Sequence, residues 1–448
     1  MNPSELKIVN STNIAVVGLW HLGSVTAACL AQAGHTVVGI DENARTIEAL
    51  QRGQPPVSEP GLAELTSAGL ASGLLTFSTN LATLSKSDIV WIAFDTPVDD
   101  DDNADVGFVL QHVIRLFPYL KDDALIIISS QIPVGSTQKL EAAYRTAHPT
   151  GGARFAYSPE NLRLGNAISV FTHPDRIVVG VRSERDKELI ASALATFTRN
   201  IVWMSVEAAE VTKHAINAFL AISVTFINEL ASICERVGAN ALEVEAGLKS
   251  EARIGPGAYL HPGGAFAGGT LARDVAYLVE IGKREGLPTD LFESIRTSND
   301  AHRKWPERKI TELLGANLDG RRIAVLGLTY KPGTSTLRRS MAVELCRWLH
   351  ERGAEVSAYD PSAEVLPTEL GFIQRSGDFR GALKKADAAV IGTACEEFKS
   401  LTESDMIESM PHPIVIDAGG YLERALSNCD RIRYFSVGRT HGTLDTNR

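Results

Sequence analysis

The stretch "NIAVVGLWHLGSVTAACLAQAGHTVVGID", Asn13 to Asp41, decides the fold. "IAVV" is a short apolar run, the segment after it has helical spacing, and "HTVVGID" returns to an extended pattern. Strand, glycine turn, helix and strand make the βαβ unit that opens a dinucleotide-binding domain. In such a turn three glycines close the bend, admit a pyrophosphate and let the helix pack close to the strand. Here the run is Gly18-Leu19-Trp20-His21-Leu22-Gly23, with Trp20 where the second glycine belongs. An indole at that point obstructs a phosphate unless the turn shifts. Asp41 ends the second strand, where a carboxylate accepts ribose hydroxyls and repels a 2′-phosphate, so the motif favours NAD over NADP. A doubly wound domain without a cofactor is the plainer alternative, and Trp20 keeps it open.

Further strand candidates are "DIVWIAF" (88–94), "ALIIISS" (124–130) and "RIVVGV" (176–181), separated by helical or loop segments. That alternation predicts a mostly parallel sheet covered on both faces. From about Ser205 to His302 the texture changes. "VEAAEVTKHAINAFLAISVTFINELASICERVG" reads as one long helix, apolar or small around much of its circumference, which predicts burial between domains or subunits. "RRIAVLGLTYKPGTSTLRRSMAVELCRWLHERGAEVSAYDP" (321–361) then starts a second βαβ unit, followed by "AAVIGT" (388–393) and "IVIDAGG" (414–420). The expected fold is α/β, with two Rossmann-like doubly wound domains joined by a central helical segment. The expected bounds are 1–204, 205–305 and 306–448.

The 448 residues suffice for two or three domains, and 44% hydrophobic with 22% charged residues is ordinary for a globular protein. A net charge of −10 argues against non-specific nucleic-acid binding. No apolar run of membrane-span length stands out, and "MNPSELKIVNSTN" lacks a signal-peptide core. Five cysteines, scattered singly, suggest reduced and mostly buried thiols in a cytoplasmic protein, with neither a disulfide frame nor a metal site.

Taken together, the motifs resemble the UDP-glucose/GDP-mannose (nucleotide-sugar) 6-dehydrogenase family. Besides the first βαβ unit they include "EPGL" (59–62), "DTP" (95–97) with Thr96, "SSQIPVGST" (129–137) and "SPENLRLGNAI" (158–168). "EVTKHAINAFLAISVTFINEL" (210–230), "RIGP" (253–256), "HPGGAFAGGTLARDV" (261–275) and "GLTYKPGTSTLRRS" (327–340) complete the series. The resemblance implies an NAD-binding domain, a helical dimerisation segment and a second domain for a nucleotide sugar. It implies oxidation of a sugar C6 alcohol to a carboxylate through two hydride transfers to NAD, with a cysteine thioester between them, in a homodimer serving polysaccharide precursor synthesis.

Residue by residue, the resemblance assigns Lys213 and Asn217 to the oxygen on C6, four apart on one helical face. Glu160 matches an acid/base glutamate, Asp274 an aspartate working with the lysine through water, and Ser130 a hydroxyl that holds water. Asn161, Leu162, Arg253 (from the partner subunit), Tyr259 to Gly263 and Lys331 fall on the sugar-nucleotide side. Thr96, Arg273 and Arg338 fall on the cofactor side with Gly18, Trp20, His21, Leu22, Gly23, Asp41 and Ser130. The acidic run Asp99 to Asp102 reads as a solvated loop.

One departure bears on the chemistry. The family motif G-F-G-G-S-C-F-P-K-D aligns with Ala265 to Asp274, which puts Thr270 where the cysteine stands. A thiol with a reference pKa of ~8.5 is readily ionised, whereas a threonine hydroxyl needs an adjacent base to become a nucleophile. The expectation is that the first hydride transfer survives, giving a 6-aldehyde, and the thioester route does not. Four-electron oxidation through the aldehyde hydrate, a non-catalytic nucleotide-sugar binder and an epimerase-like reaction are the alternatives. The sequence names neither the sugar nor its base.

Overall fold

The structure, a computed structural model, describes residues 11–97, 104–160, 162, 164–267 and 269–439. The chain divides into two compact units, Met1–Ala215 and Ile216–Arg448.

The first unit is built on eight strands: β1 (Asn13–Val17), β2 (Thr36–Ile40), β3 (Leu75–Ser78), β4 (Ile89–Ile92), β5 (Leu125–Ile128), β6 (Arg154–Tyr157), β7 (Ile177–Gly180) and β8 (Ile201–Met204). Their order is β3-β2-β1-β4-β5-β6-β7-β8, so the first six follow the 3-2-1-4-5-6 arrangement of a dinucleotide-binding sheet. Every pair is parallel except β6–β7, which meet antiparallel at Tyr157 and Gly180. "IVWI" and "LIII" are buried throughout, the signature of strands covered on both faces. Helix α1 (His21–Gln32) follows the first glycine turn with ten of its residues buried, mostly small, which lets it lie close to the sheet.

The second unit repeats the plan with β9 (Arg322–Leu326), β10 (Glu355–Tyr359), β11 (Ile373–Arg375), β12 (Ala388–Ile391), β13 (Ile414–Ile416) and β14 (Arg433–Phe435). The order is β11-β10-β9-β12-β13-β14 and all pairs are parallel. The α/β class and the doubly wound sheets are thus as the sequence predicts. The chain passes from one unit to the next along helix α2 (Val206–Val237). The second unit also holds α3 (Thr270–Glu285), α4 (Asp290–Arg303) and α5 (Met341–Glu351).

Helix α2 corrects one expectation. Its 32 residues are long and apolar enough to cross a membrane by length and composition. The reading missed this because alanines, serines and single polar residues interrupt any continuous apolar run. One face of α2 buries Glu210, Lys213, His214, Asn217 and Asn228 against the protein. The other leaves Phe219, Phe226, Ile233 and Val237 exposed.

Candidate active site

In the first unit, the glycine turn closes through Gly18, whose φ of +91° suits glycine, and its N–H donates to Ile40 O at 3.0 Å. A Cβ on Gly23 would lie 1.8 Å from the Gly18 oxygen, so helix and turn approach closely only without a side chain there. Trp20 stands at the N-cap of α1 with φ −83°, a conformation open to any residue, and is 53% exposed. The turn therefore closes without the second glycine. Asp41 accepts from Leu19 N–H at 2.9 Å and Asn43 N–H at 2.9 Å and remains partly exposed, with acceptor capacity left for a ribose. A bare helix N-terminus, a tight turn and an acceptor carboxylate suit a dinucleotide.

The candidate Lys213 lies in the same unit, 7% exposed, and its Nζ donates to the main-chain oxygen of Glu160 at 2.7 Å. One of three ammonium protons is spent there, leaving two for a substrate oxygen. The Glu160 carboxylate accepts from Leu162 N–H at 2.6 Å. Ser130 is buried and its Oγ has no hydrogen-bond partner among the described residues. A buried hydroxyl left so costs about 1–3 kcal/mol, which a water or ligand oxygen would recover. Thr96 donates to Gln131 O at 2.6 Å.

Two carboxylates that sequence reasoning missed fix the surrounding loops. Glu210 accepts from Gly135 N–H at 2.6 Å and Thr137 N–H at 2.9 Å, and burial nonetheless raises its pKa. Glu59 accepts from Gly165 N–H at 2.8 Å and Ala167 N–H at 2.7 Å, with His21 Nε2 3.0 Å away. Burial pushes the Glu59 carboxyl up, but these bonds and His21 outweigh it and hold it below the ordinary range. "EPGL" was its only signal.

In the second unit, Asn217 donates through Nδ2 to the carboxylate of Asp274, which is fully buried in the second turn of α3. Thr270 is the first residue of α3 and exposed, after Gly269 at φ +83°. The loop leading to it is clamped by side chains. Asn228 Oδ1 accepts from Gly263 N–H at 3.0 Å, His302 Nε2 meets Gly263 O at 2.8 Å, and Asn299 bonds both N–H and O of Phe266 at 3.0 and 2.9 Å. Burial lowers the His302 pKa and keeps the imidazole neutral. Asn228 could have been found, since it follows Asn217 by three helical turns on the same face of α2.

A cavity of about 480 Å³ opens at the C-terminal ends of β12 and β13, lined by Gly264, Ala265, Trp305, Gly392, Ala418 and Tyr421 among others. Lys331 and Arg338 lie exposed on the loop after β9. Arg253 is exposed too and, among the described residues, pairs with Glu251; Tyr259 is exposed. Asn161, Gly268 and the run Asp99 to Asp102 lie outside the described residues.

No thiol stands in for Thr270. Cys234 and Cys346 pack in the apolar core beneath β9 and β10, Cys29 against Val25 and Leu62, and Cys395 and Cys429 within or against the core of the other sheet face. All five are free, and burial pushes Cys29, Cys346 and Cys395 up to about 12. Among the described residues no group of side chains could hold a metal ion.

Three family models match in sequence order: the NAD binding domain of the UDP-glucose/GDP-mannose dehydrogenase family over residues 12–198, its central domain over 207–301 and its UDP binding domain over 324–424. The chain belongs to this family. A UDP-glucose 6-dehydrogenase of Rhizobium meliloti is 34% identical over 434 residues, 95% of this chain and 99% of the relative. Another, TuaD of Bacillus subtilis, is 31% identical over 436 residues, 95% and 93% of the two chains. A UDP-glucose dehydrogenase structure from Pyrobaculum islandicum superposes with a TM-score of 0.83 at 28% identity, covering 98% of this chain and all of that one (100%). A UDP-N-acetyl-mannosamine dehydrogenase from Staphylococcus aureus gives 0.75 at 26%, covering 95% and 98%. The protein is accordingly an NAD-dependent oxidoreductase acting on a CH–OH donor.

Proposed function

We propose that the chain oxidises the C6 alcohol of a nucleotide sugar to the aldehyde and stops there. The observation that carries this reading is Thr270 at the head of α3, with Lys213, Asn217 and Asp274 retained, four cysteines packed in a core and the fifth, Cys429, packed against one. Bound NAD supplies the hydride acceptor. Lys213 and Asn217, one turn apart on α2, stabilise negative charge on the C6 oxygen as its proton leaves. The buried carboxylate of Asp274 orients the Asn217 amide and favours positive charge nearby. Ser130 Oγ holds the water that carries the proton away. Glu160 positions Lys213 through its main-chain oxygen. Thr270 offers no thiolate, so the covalent step that would commit the aldehyde to a second oxidation is lost.

In this reading residues 1–204 bind NAD, 205–305 form the helical dimerisation segment and 306–448 bind the nucleotide sugar, with Lys331 taking the family's substrate-side lysine role and Arg338 its cofactor-side arginine role. A second copy covers α2. Phe219, Phe226 and Ile233 recur at seven-residue intervals and are exposed, a seam that water would otherwise meet. The exposed Arg253 is then free to reach the partner's substrate.

The test is stoichiometric. With a panel of UDP- and GDP-sugars, one NADH should appear per sugar consumed, with an aldehyde trapped by hydroxylamine, from a protein that sediments as a dimer. Two NADH per sugar would replace this reading with the aldehyde-hydrate route. No NADH at all would leave a binder.

A further inference from the structure

We propose that Glu59 is a positioning residue through which the cofactor turn sets the substrate loop, with His21 as the link. The inference rests on the reading above, in which the turn 18–23 meets NAD and the loop after Glu160 meets the sugar nucleotide. Three groups from two distant segments converge on the one carboxylate. His21 Nε2 lies 3.0 Å from Oε2, Gly165 N–H lies 2.8 Å from the same oxygen, and Ala167 N–H is 2.7 Å from Oε1. The Glu59 side chain is almost wholly buried (1% exposed) and that of His21 mostly so (17%).

An ionised carboxylate only accepts, so Nε2 of His21 carries the proton it shares. Charge-assisted bonds made out of water are among the stronger ones and hold geometry tightly. His21 is the first residue of α1, next to Trp20, so any shift of the turn as it closes on a pyrophosphate moves the imidazole. Glu59 must follow or lose a bond, and it draws Gly165 and Ala167 with it. Gly165 has φ +89°, and five residues before it the main-chain oxygen of Glu160 holds Lys213. Trp20 and His21 replace nothing in the carboxylate's other two bonds. The link can therefore be cut without removing the loop's anchor.

The experiment is a binding cycle on the full-length protein with the unreactive pair NADH and UDP-glucose, by calorimetry. In the unmodified protein, saturating NADH should tighten UDP-glucose by about fivefold or more. In His21→Phe the factor, the ratio of UDP-glucose affinities with and without saturating NADH, should fall to near 1 whatever the change in NADH affinity alone. His21→Gln, which keeps an N–H at the same reach, should restore it. A role confined to stability would weaken folding and leave the factor unchanged. An unchanged factor in His21→Phe, or a loss in His21→Gln equal to that in His21→Phe, overturns the proposal. Failure of both ligands to bind the unmodified protein overturns the functional reading and this inference with it, a distinguishable result.

Discussion

Gly18 and Gly327 occupy matching places in the two sheets, each just past the first strand of its unit. Both have left-handed backbone, φ +91° and +87°, and both donate to the last residue of the neighbouring strand, Ile40 at 3.0 Å and Tyr359 at 2.8 Å. The next residue in each turn donates to an aspartate one past that strand, Leu19 to Asp41 and Leu328 to Asp360. There the likeness stops. Asp360 is 1% exposed and also accepts from Thr329 N–H and Oγ1 and from Ser362 N–H, so its acceptor sites are spent internally. Asp41 takes two backbone N–H groups and faces solvent. After Gly18 a helix begins within three residues, whereas after Gly327 α5 waits until Met341. The same topology thus offers a helix terminus and a partly exposed carboxylate with acceptor capacity left in one unit, and a loop bearing Lys331 and Arg338 in the other. Fold is repeated and site chemistry is not.

The sharpest way to break this comparison is alanine at each glycine. A Cβ on Gly327 would meet Thr393 main-chain atoms at 2.3, 2.6 and 2.8 Å, and backbone cannot swing aside. Gly327→Ala should cost on the order of 3–5 kcal/mol, read from denaturant titration of the second unit. On Gly18 the nearest atom is a ring carbon of Phe94 at 2.7 Å, with the Phe94 nitrogen at 2.9 Å. The ring can turn but the Phe94 backbone cannot; its 2.9 Å approach is nonetheless less severe than the 2.3 Å at Gly327, so Gly18→Ala should cost less, about 1–3 kcal/mol, and weaken NAD binding. Equal costs would mean that the two turns are equally constrained.

The aspartates sharpen it further. Asp41→Asn should weaken NAD about tenfold, or about 1.4 kcal/mol, with stability little changed. Asp360→Asn should leave NAD affinity alone and destabilise by about 1–3 kcal/mol, because an amide N–H₂ would face buried N–H donors. Titration calorimetry and unfolding on the same pair decide it. If Asp360→Asn lowered NAD affinity as Asp41→Asn does, the second turn would be a cofactor site as well.

Both turns were legible in the sequence because glycine between an apolar run and a helical pattern is a local signal, as in 13–41 and 321–361. Strands β11, "IQR", and β14, "RYF", were not: each is three residues long and begins or ends on an arginine, whereas β13, equally short, is the all-apolar "IVI". β6, "RFAY", has one charged and three apolar residues and reads as well as a loop. At the site, Lys213 and Asn217 were visible through the family resemblance, with helical spacing adding that they share one face. Glu59 was not visible as an anchor, because its partners are main-chain N–H groups more than a hundred residues away, which carry no side-chain signature. The clamps on Gly263 and Phe266 are hidden for the same reason. Trp20 was visible, and its backbone angle adds that the turn itself closes with a residue other than glycine at that point.

The smallest expected effect sets one buried carboxylate of each unit against the other as pH falls. Glu59 is held below its reference of 4.5 by Gly165, Ala167 and His21 despite burial, whereas burial raises Asp417 above 3.8 despite bonds from Leu422 and Tyr434. A depressed carboxyl adds stability above its unfolded value, which is lost as pH falls through the folded one. A raised carboxyl adds stability at pH below the unfolded value, which is lost as pH rises through the folded one. Acidification should therefore loosen the loop at Gly165 and Ala167 and relieve strain around Asp417. Hydrogen exchange, corrected for intrinsic rates, should show protection at the Ala167 amide falling as the solution passes below about 4.5, while that at the Leu422 amide holds. In Glu59→Gln the first trend should vanish, since a neutral amide has no proton to gain. Protection falling together at both amides would mean that acid acts on the two units through a common opening, and the contrast between the two carboxylates would then have no local consequence.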